Sequence, residues 1–560
     1  MYSNIKYRYI NFFLIICNIL LLNYIFGYYP VRIDLTADQR YTLHETTKTV
    51  LQNTEGHVIV DVYLSGDLPA GFRRLQNSIR ETLTEFRTHT SANIEYRFND
   101  PAAIADEKER NATMMQLAQK GLQPTNIYHT KDGKQTEKLI FPGALITCRG
   151  KQTPIHFLKG SEGASPQEIL NQSVEGVEYE LINAIKIVTT RYKLRIAIAA
   201  DHGEPKNAEL NDLYMTLKDR YMIERINISE TANIKAYDLL IIIRPTLSYQ
   251  DADKLKLDQY IMNGGKIIFF LDQAILHNKN LSNEGTMITP AQHNLEDLLF
   301  KLGVRANQDL IQDIQCGAIP LVVGSMGNSA QTRLMPWPYH VIHNNYGKHA
   351  TVRNMGAVLC KYASTLDTVK ATNVTKTPLI YTSSYAQKIQ LPYKVSLEDA
   401  KKNLETDMKG GKNYITAYLL EGRFKSLYNN RLSQYVMDSI KYLNESKHTR
   451  IMVFSDADYV INEVSTDEQQ AFPLGYDRYI RKKFANIDLI QNIVNYMLDD
   501  KNMLTVRNKQ IVLRTLDKKK ITAERAKWQI INTVVPLLLL FAFGIIKYYL
   551  RVHKYAQYTP

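Results

Sequence analysis

Cysteine is scarce, with four in 560 residues. Cys17 falls in an apolar stretch. Cys148, Cys316 and Cys360 lie far apart with no C-x-x-C pair, which excludes a disulfide framework and a dithiol redox motif. These three read as buried small hydrophobes. A glycine loop ending in Gly-Lys-Ser/Thr is absent: Gly150-Lys151-Gln152 and Gly411-Lys412-Asn413 lack the hydroxyl that reaches magnesium, which excludes a P-loop ATPase. Val323-Gly324-Ser325-Met326-Gly327 lacks the first glycine of a serine-hydrolase elbow. His44-Glu45-Thr46-Thr47-Lys48 carries lysine where a zincin helix has its second histidine, so no metal is expected. No period of about 20 to 50 residues is visible, which excludes a solenoid.

Against these absences, 45% of the residues are apolar, enough for cores in more than one domain and too many for a disordered chain. The 69 Lys+Arg exceed the 56 Asp+Glu, giving a net charge of +13. That excess is localised. Lys6 and Arg8 precede one apolar stretch, residues 501–527 hold nine basic and two acidic side chains, and Lys547, Arg551 and Lys554 follow a second apolar stretch. The remainder is almost neutral. Basic residues beside apolar segments match anionic lipid headgroups, each worth about 1 kcal/mol, so membrane lipids rather than nucleic acid are the expected polyanion.

Residues 9–31 are uncharged and long enough to cross a hydrocarbon core of about 30 Å. Aromatic Tyr24, Phe26, Tyr28 and Tyr29 sit at the end of this stretch. A cleavable signal peptide is the competing reading, but no small-x-small site follows. Residues 528–546 form a second uncharged stretch, between Lys527 and Lys547, with Trp528, Tyr548 and Tyr549 at its borders. Two spans place both termini on one side of a membrane and the body on the other. The flanking charges conflict, and the first helix, which usually sets orientation, points to an external body.

Between tail 1–8 with its anchor 9–31 and the basic stalk 501–527, span 528–546 and tail 547–560, two α/β domains are expected. Over 32–165, Thr42 with Glu45 marks a capping-box helix start. Val58 to Leu64 then alternates as a strand, Phe72 to Phe86 has helical spacing, and Ile94 to Phe98 is extended. This β-α-β unit resembles a thioredoxin-like half without its cysteines. Over 166–500 the strands become apolar throughout: Leu194 to Ala200, Leu239 to Ile243, Ile267 to Leu271 and Ile451 to Phe454. Such runs are buried on both faces of a parallel sheet. With helices expected over 209–220, 251–262 and 487–498, they predict a doubly wound α/β domain. Residues 304–449 lose this rhythm and read as a β-rich insertion.

Polar residues collect just past the predicted strand ends: Asp201-His202-Gly203-Glu204, Asp272-Gln273 and Asp456-Ala457-Asp458. In a doubly wound fold these ends border the ligand crevice, which makes Asp201, His202, Glu204, Asp272, Asp456 and Asp458 the candidate ligand or partner residues. The alternative is that the aspartates cap helices and hold loops. Pro336-Trp337-Pro338-Tyr339-His340 is a rigid aromatic loop candidate, with Trp337 and Tyr339 either anchoring an interface or plugging a core.

Residues 34–43 (Asp-Leu-Thr-Ala-Asp-Gln-Arg-Tyr-Thr-Leu), Asp201-His202-Gly203-Glu204, residues 257–266 (Leu-Asp-Gln-Tyr-Ile-Met-Asn-Gly-Gly-Lys), Asp309 to Asp313, Pro336 to Tyr339 and Gly475 to Tyr479 together resemble the GldG family. These are gliding-motility-associated auxiliary components of ABC transporters, and the resemblance runs over nearly the whole chain, both anchors included. It implies a non-catalytic, substrate-binding-like membrane subunit, without cofactor, that partners an ABC permease and an ATPase. It also implies that the middle domain is similar to a glutamine-amidotransferase-like domain also found in intraflagellar transport proteins. Amidotransferases place a cysteine on a strand-to-helix turn, whereas Ile267 to Leu271 runs into Asp272-Gln273. The contrasting expectation is a structural scaffold of an envelope or motility complex with no small ligand.

Overall fold

The computed structural model describes residues 12–21, 24, 42–131, 134–158, 165–276, 284–326, 329–353, 355–402, 408, 411–465, 471–499, 503, 506 and 518–555. The chain divides into two compact units, residues 1–509 and 510–560.

The first unit opens with α1 (Glu45–Gln52), capped by His44, whose Nδ1 accepts from the Thr46 amide at 3.2 Å. β1 (His57–Val62) alternates as its sequence predicts, with Val58, Val60 and Val62 fully buried. α2 (Ala70–His89) turns the stripe Leu75, Ile79, Leu83 and Phe86 onto it. β2 (Asn93–Phe98), β3 (Gly143–Cys148) and β4 (Lys151–His156) complete a sheet in the order β2-β1-β3-β4, with β1 and β2 parallel and the other pairs antiparallel. α3 (Pro166–Thr189) starts on a Ser165/Glu168 capping box. It buries Val177, Leu181, Ile182, Ile185 and Val188 in this N-terminal core. α3 thus packs with the elements before it.

The central sheet is built from β5 (Arg195–Ala199), followed by α4 (Asn211–Leu217), β6 (Met222–Ile226), β7 (Leu239–Ile243), α5 (Asp251–Met262) and β8 (Lys266–Phe270). A hairpin, β9 (Cys316–Met326) with β10 (Ser329–His343), comes next, then β11 (Asn345–Tyr346), β12 (Val374–Tyr381), β13 (Ile415–Gly422), β14 (Thr449–Phe454) and α6 (Asn486–Leu498). The eight strands lie in the order β11-β12-β13-β14-β8-β7-β5-β6. From β14 to β6 every pair is parallel. Leu239, Ile241 and Ile243 face one core and Leu240 and Ile242 the other, which is why this run is apolar at every position. After β6 at the edge, the chain returns to the far side of β5 to form β7. The strand order reverses there, so the carboxyl ends of β5 and β7 form a topological switch point.

Residues 304–449 contribute strands both to the central sheet and to smaller sheets. β11, β12 and β13 continue the central sheet antiparallel, with β13 paired to β14 from Ala417↔Phe454 to Gly422↔Thr449. The remaining strands of the segment make small satellite sheets, one of them around the β9–β10 hairpin.

In the second unit, α7 (Lys518–Tyr555) runs through the expected span and through the end of the expected stalk. Its stretch Ile521–Tyr555 is the one helix among the described residues long and apolar enough to cross a membrane. Near the start, Phe12–Leu21 is a shorter apolar helix. Most of the rest of the expected first anchor, residues 32–41 and most of the stalk lie outside the described residues.

Candidate functional site

Two groups of polar side chains stand at the carboxyl edge of the parallel strands. The first follows β5. Gly203 has φ +76°, and a Cβ there would collide with Thr246 Oγ1, so the turn requires glycine. His202 stacks on Tyr249 with ring centroids 3.6 Å apart and planes 6° from parallel. Its Nδ1 lies 3.0 Å from Asp201 Oδ1 and its Nε2 3.3 Å from Asp253 Oδ2, at the start of α5. Glu204 Oε2 accepts from the His202 amide at 2.7 Å and Oε1 from Tyr249 Oη at 3.2 Å. The Ser229 amide and hydroxyl donate to Asp201 Oδ2 at 2.8 and 2.7 Å. Burial pushes the Glu204 carboxyl up. Burial acts the same way on Asp201, but the Ser229 hydrogen bonds outweigh it and hold that carboxyl low.

One oxygen or nitrogen from each of Asp201, His202 and Glu204 falls within 4.8 Å of the others, a spacing a divalent cation would accept. Both His202 nitrogens already face carboxylates, and Asp201 and Glu204 already take backbone amides. A cation would have to displace those partners.

The second group follows β7, β8 and β14. Asp272 Oδ1 accepts from the Ala457 amide at 2.7 Å. Asp456 Oδ1 accepts from the Asp458 amide at 2.6 Å and Oδ2 from the Lys361 amide at 3.0 Å. Arg244, the residue after β7, sits at φ +43° and donates from Nη2 to Glu209 Oε1 at 2.6 Å. Asp272 and Asp458 lie close enough to stabilise its charge. Burial, with the Asp458 charge added, raises Asp272 to about 7 against the opposing pull of Arg244. Asp456 is driven well up by the same burial and by Asp458 and Asp272. Lys361 Nζ meets Glu463 Oε2 at 2.8 Å, and Arg478 Nε meets its other oxygen at 3.2 Å.

The six crevice residues read from the sequence thus gather as two groups, in which Asp201, Glu204, Asp272 and Asp456 each accept from backbone amides, bonding that holds loops. Arg244, Tyr249 and Asp253 complete the groups and were not foreseen. The signal for Arg244 was available: a lone charge directly after the apolar run Leu239 to Ile243, the placement that singled out Asp272. Asp253 carried no such mark, because its place on α5 reads as an ordinary helix N-terminal acid.

Trp337 and Tyr339 are corrected. They lie within strand β10, both fully buried, with ring centroids 5.1 Å apart. Tyr339 Oη donates to Asp399 Oδ2 at 3.0 Å and accepts from Gln312 Nε2 at 2.8 Å. Apolar neighbours Leu310, Ile319 and Leu391 close around them, so they plug a core and present no interface loop. Nearby, His343 Nε2 is 3.2 Å from Cys360 Sγ. Both are buried. Burial lowers the imidazole to about 4 and raises the thiol, the reverse of what an activated nucleophile needs.

An open groove of about 890 Å³ lies elsewhere, among Glu296, Phe300, Lys301, Arg305, Lys388 and Arg431.

A family model described as an ABC-type uncharacterized transport system matches residues 193–493, from the turn before β5 into α6. A second model, a domain of unknown function (DUF7088), matches residues 37–147. An uncharacterized protein of Borreliella burgdorferi is 22% identical over 549 residues, covering 96% of this chain and 95% of its own length. The solved mmIFT52 N-terminal domain is 12% identical with a TM-score of 0.29, over 54% of this chain and 96% of that one. Matched over more than half of its 560 residues, the chain belongs to the family described as an ABC-type uncharacterized transport system, whose members are auxiliary transporter components.

Proposed function

We propose that this chain is a membrane-anchored, non-catalytic auxiliary subunit that assembles with the permease and ATPase of an ABC transporter. The family match over residues 193–493 carries the reading. The helix Ile521–Tyr555, long and apolar enough to cross a membrane, supplies a membrane anchor. We place the body in the periplasm, with a second anchor near the N-terminus, and assign the transporter to gliding motility or envelope export. The resemblance to GldG supports this finer assignment.

The engaged carboxylates at the sheet edge favour one variant, in which the body recognises a protein partner and takes no small ligand. The test is affinity purification of the full chain in mild detergent from its native host, followed by mass spectrometry. A permease and an ATPase in fixed ratio are expected. Envelope or motility components without an ATPase would replace the transporter reading by a structural scaffold.

A further inference from the structure

The opposite, amino edge of the central sheet carries an exposed mixture of aromatic, apolar and basic side chains. Tyr192 stands 86% exposed in the turn between α3 and β5. Leu194 is 40% and Met222 51% exposed, and the two are neighbours because the Met222 amide donates to the Leu194 carbonyl at 2.9 Å. Tyr192 and Met222 line a shallow hollow of about 560 Å³ together with Arg191, Lys193 and Lys218.

Lys193 Nζ donates to the Lys218 carbonyl at 2.8 Å, and Lys151 Nζ, from β4, to the Thr190 carbonyl at 2.8 Å. These ammonium groups are positioned by backbone, and neither is in an ion pair among the described residues. Arg149 and Arg191 share one carboxylate, Glu55, at 3.6 and 2.9 Å. The patch is therefore positive in excess, with an apolar centre that water solvates poorly.

The body's last elements lie at the same edge. Tyr221 Oη donates to Asn495 Oδ1 of α6 at 3.0 Å, and Lys186 pairs with Asp499 at 3.0 Å. Val506 is still buried. Only residues 507–517 then separate it from α7, a stretch that reaches about 40 Å at full extension. Their sequence and the start of α7 add Arg507, Lys509, Arg514 and Lys518 to Lys520, so positive charge continues along the chain towards its span.

We propose that this amino-edge patch is a membrane-contact face, with Tyr192, Leu194 and Met222 entering the headgroup region and Lys151, Arg191, Lys193 and Lys218 binding anionic lipid phosphates. An aromatic ring and thioether amid lysine and arginine suits an interface that is apolar within and anionic at its surface. The inference rests on the membrane-anchored part of the proposed function and on nothing about transport.

The test reconstitutes the full chain into vesicles, with a benzophenone amino acid at position 192 or, as an exposed control, at Val323 on the β9–β10 hairpin. Vesicles are phosphatidylcholine alone or with about one third phosphatidylglycerol. Position 192 is expected to give lipid adducts severalfold above the control in the anionic vesicles, with a drop in neutral lipid and at high salt. R191E/K193E/K218E should lose the excess while its melting midpoint stays within a few degrees. Should that variant misfold, Tyr192→Ser, at a solvent-exposed position, with the reporter moved to Met222 must lower the lipid adduct instead. Equal adducts at 192 and 323, or adducts at 192 to a second copy of the chain, overturn the proposal. Recovery of a permease and an ATPase alongside such a failure would leave the auxiliary-subunit reading standing.

Discussion

Asp272 is the residue whose environment makes the clearest solution prediction. Burial and the Asp458 charge raise it from an ordinary 3.8 to about 7. A carboxyl raised on folding contributes stability that is complete below about 4 and is lost as pH climbs through about 7, because the native state holds a proton the unfolded chain has released. The full effect is bounded by about 4 kcal/mol. Asp272→Asn keeps an oxygen for the Ala457 amide and removes the titration. His343, lowered by burial, works in the opposite sense, losing stability as pH falls towards 4, so the native curve alone is a mixture. The difference between native and Asp272→Asn melting midpoints isolates the aspartate. The native advantage should shrink by several degrees between pH 5 and pH 8. A difference that does not change with pH would mean that Asp272 stays ionised and that Arg244 dominates its surroundings.

Of the candidate residues, the sequence made the neighbourhoods visible but not the bonding. Asp201, Asp272 and Asp456 stand at strand ends because apolar runs stop there, a local signal. Whether each carboxylate faces a ligand or a backbone amide depends on loops folded back from far along the chain, as when the Lys361 amide reaches Asp456. Trp337 misled for the same reason. Two prolines around it suggest a stiff loop, yet it lies in one core cluster with Leu310 and Leu391, which are distant along the chain.

At the scale of elements, strands buried on both faces were readable and those at the sheet's antiparallel end were not. β7 is five apolar residues in a row, whereas β12 reads Val-Thr-Lys-Thr-Pro-Leu-Ile-Tyr, with polar positions and a proline that breaks its register with β13. Such a pattern fits a surface strand in many arrangements, and only the pairing to β13 assigns it to the main sheet. The β9–β10 hairpin poses a different question. Val322, Val323 and Leu334 are exposed, so the ribbon leaves the core at these positions. A two-stranded ribbon contributes little stability of its own. Val322 pairs with Thr332. Replacing residues 323–331 by Asn-Gly, which closes a two-residue turn between them, should change the melting midpoint by less than about 2 °C. A large drop would show that the outer ribbon packs on the body. If permease recovery fell while the midpoint held, the ribbon would be a docking arm.

For the whole molecule, the open issue is whether α7 is a tether or a coupling element. A helix of 38 residues is about 57 Å long, nearly twice the hydrocarbon core. The uncharged stretch Trp528–Ile546 suffices to cross, and in the proposed anchoring the flanking turns that carry Arg525, Lys527, Lys547 and Arg551 would extend into the headgroups and beyond. A tether needs only length and apolarity, and any spanning sequence meets that need. A coupling helix must present particular side chains to a permease, and Pro536, which leaves a carbonyl without its amide partner, gives this helix a feature a generic span lacks. Exchanging residues 528–546 for an unrelated leucine- and alanine-rich span, with all flanking charges kept, separates the two roles. The exchanged chain should remain in the membrane fraction and lose the permease and ATPase on purification, since the proposed assembly runs through the bilayer. Undiminished recovery of both would reduce α7 to a tether and move the contact to the body, where the family match lies.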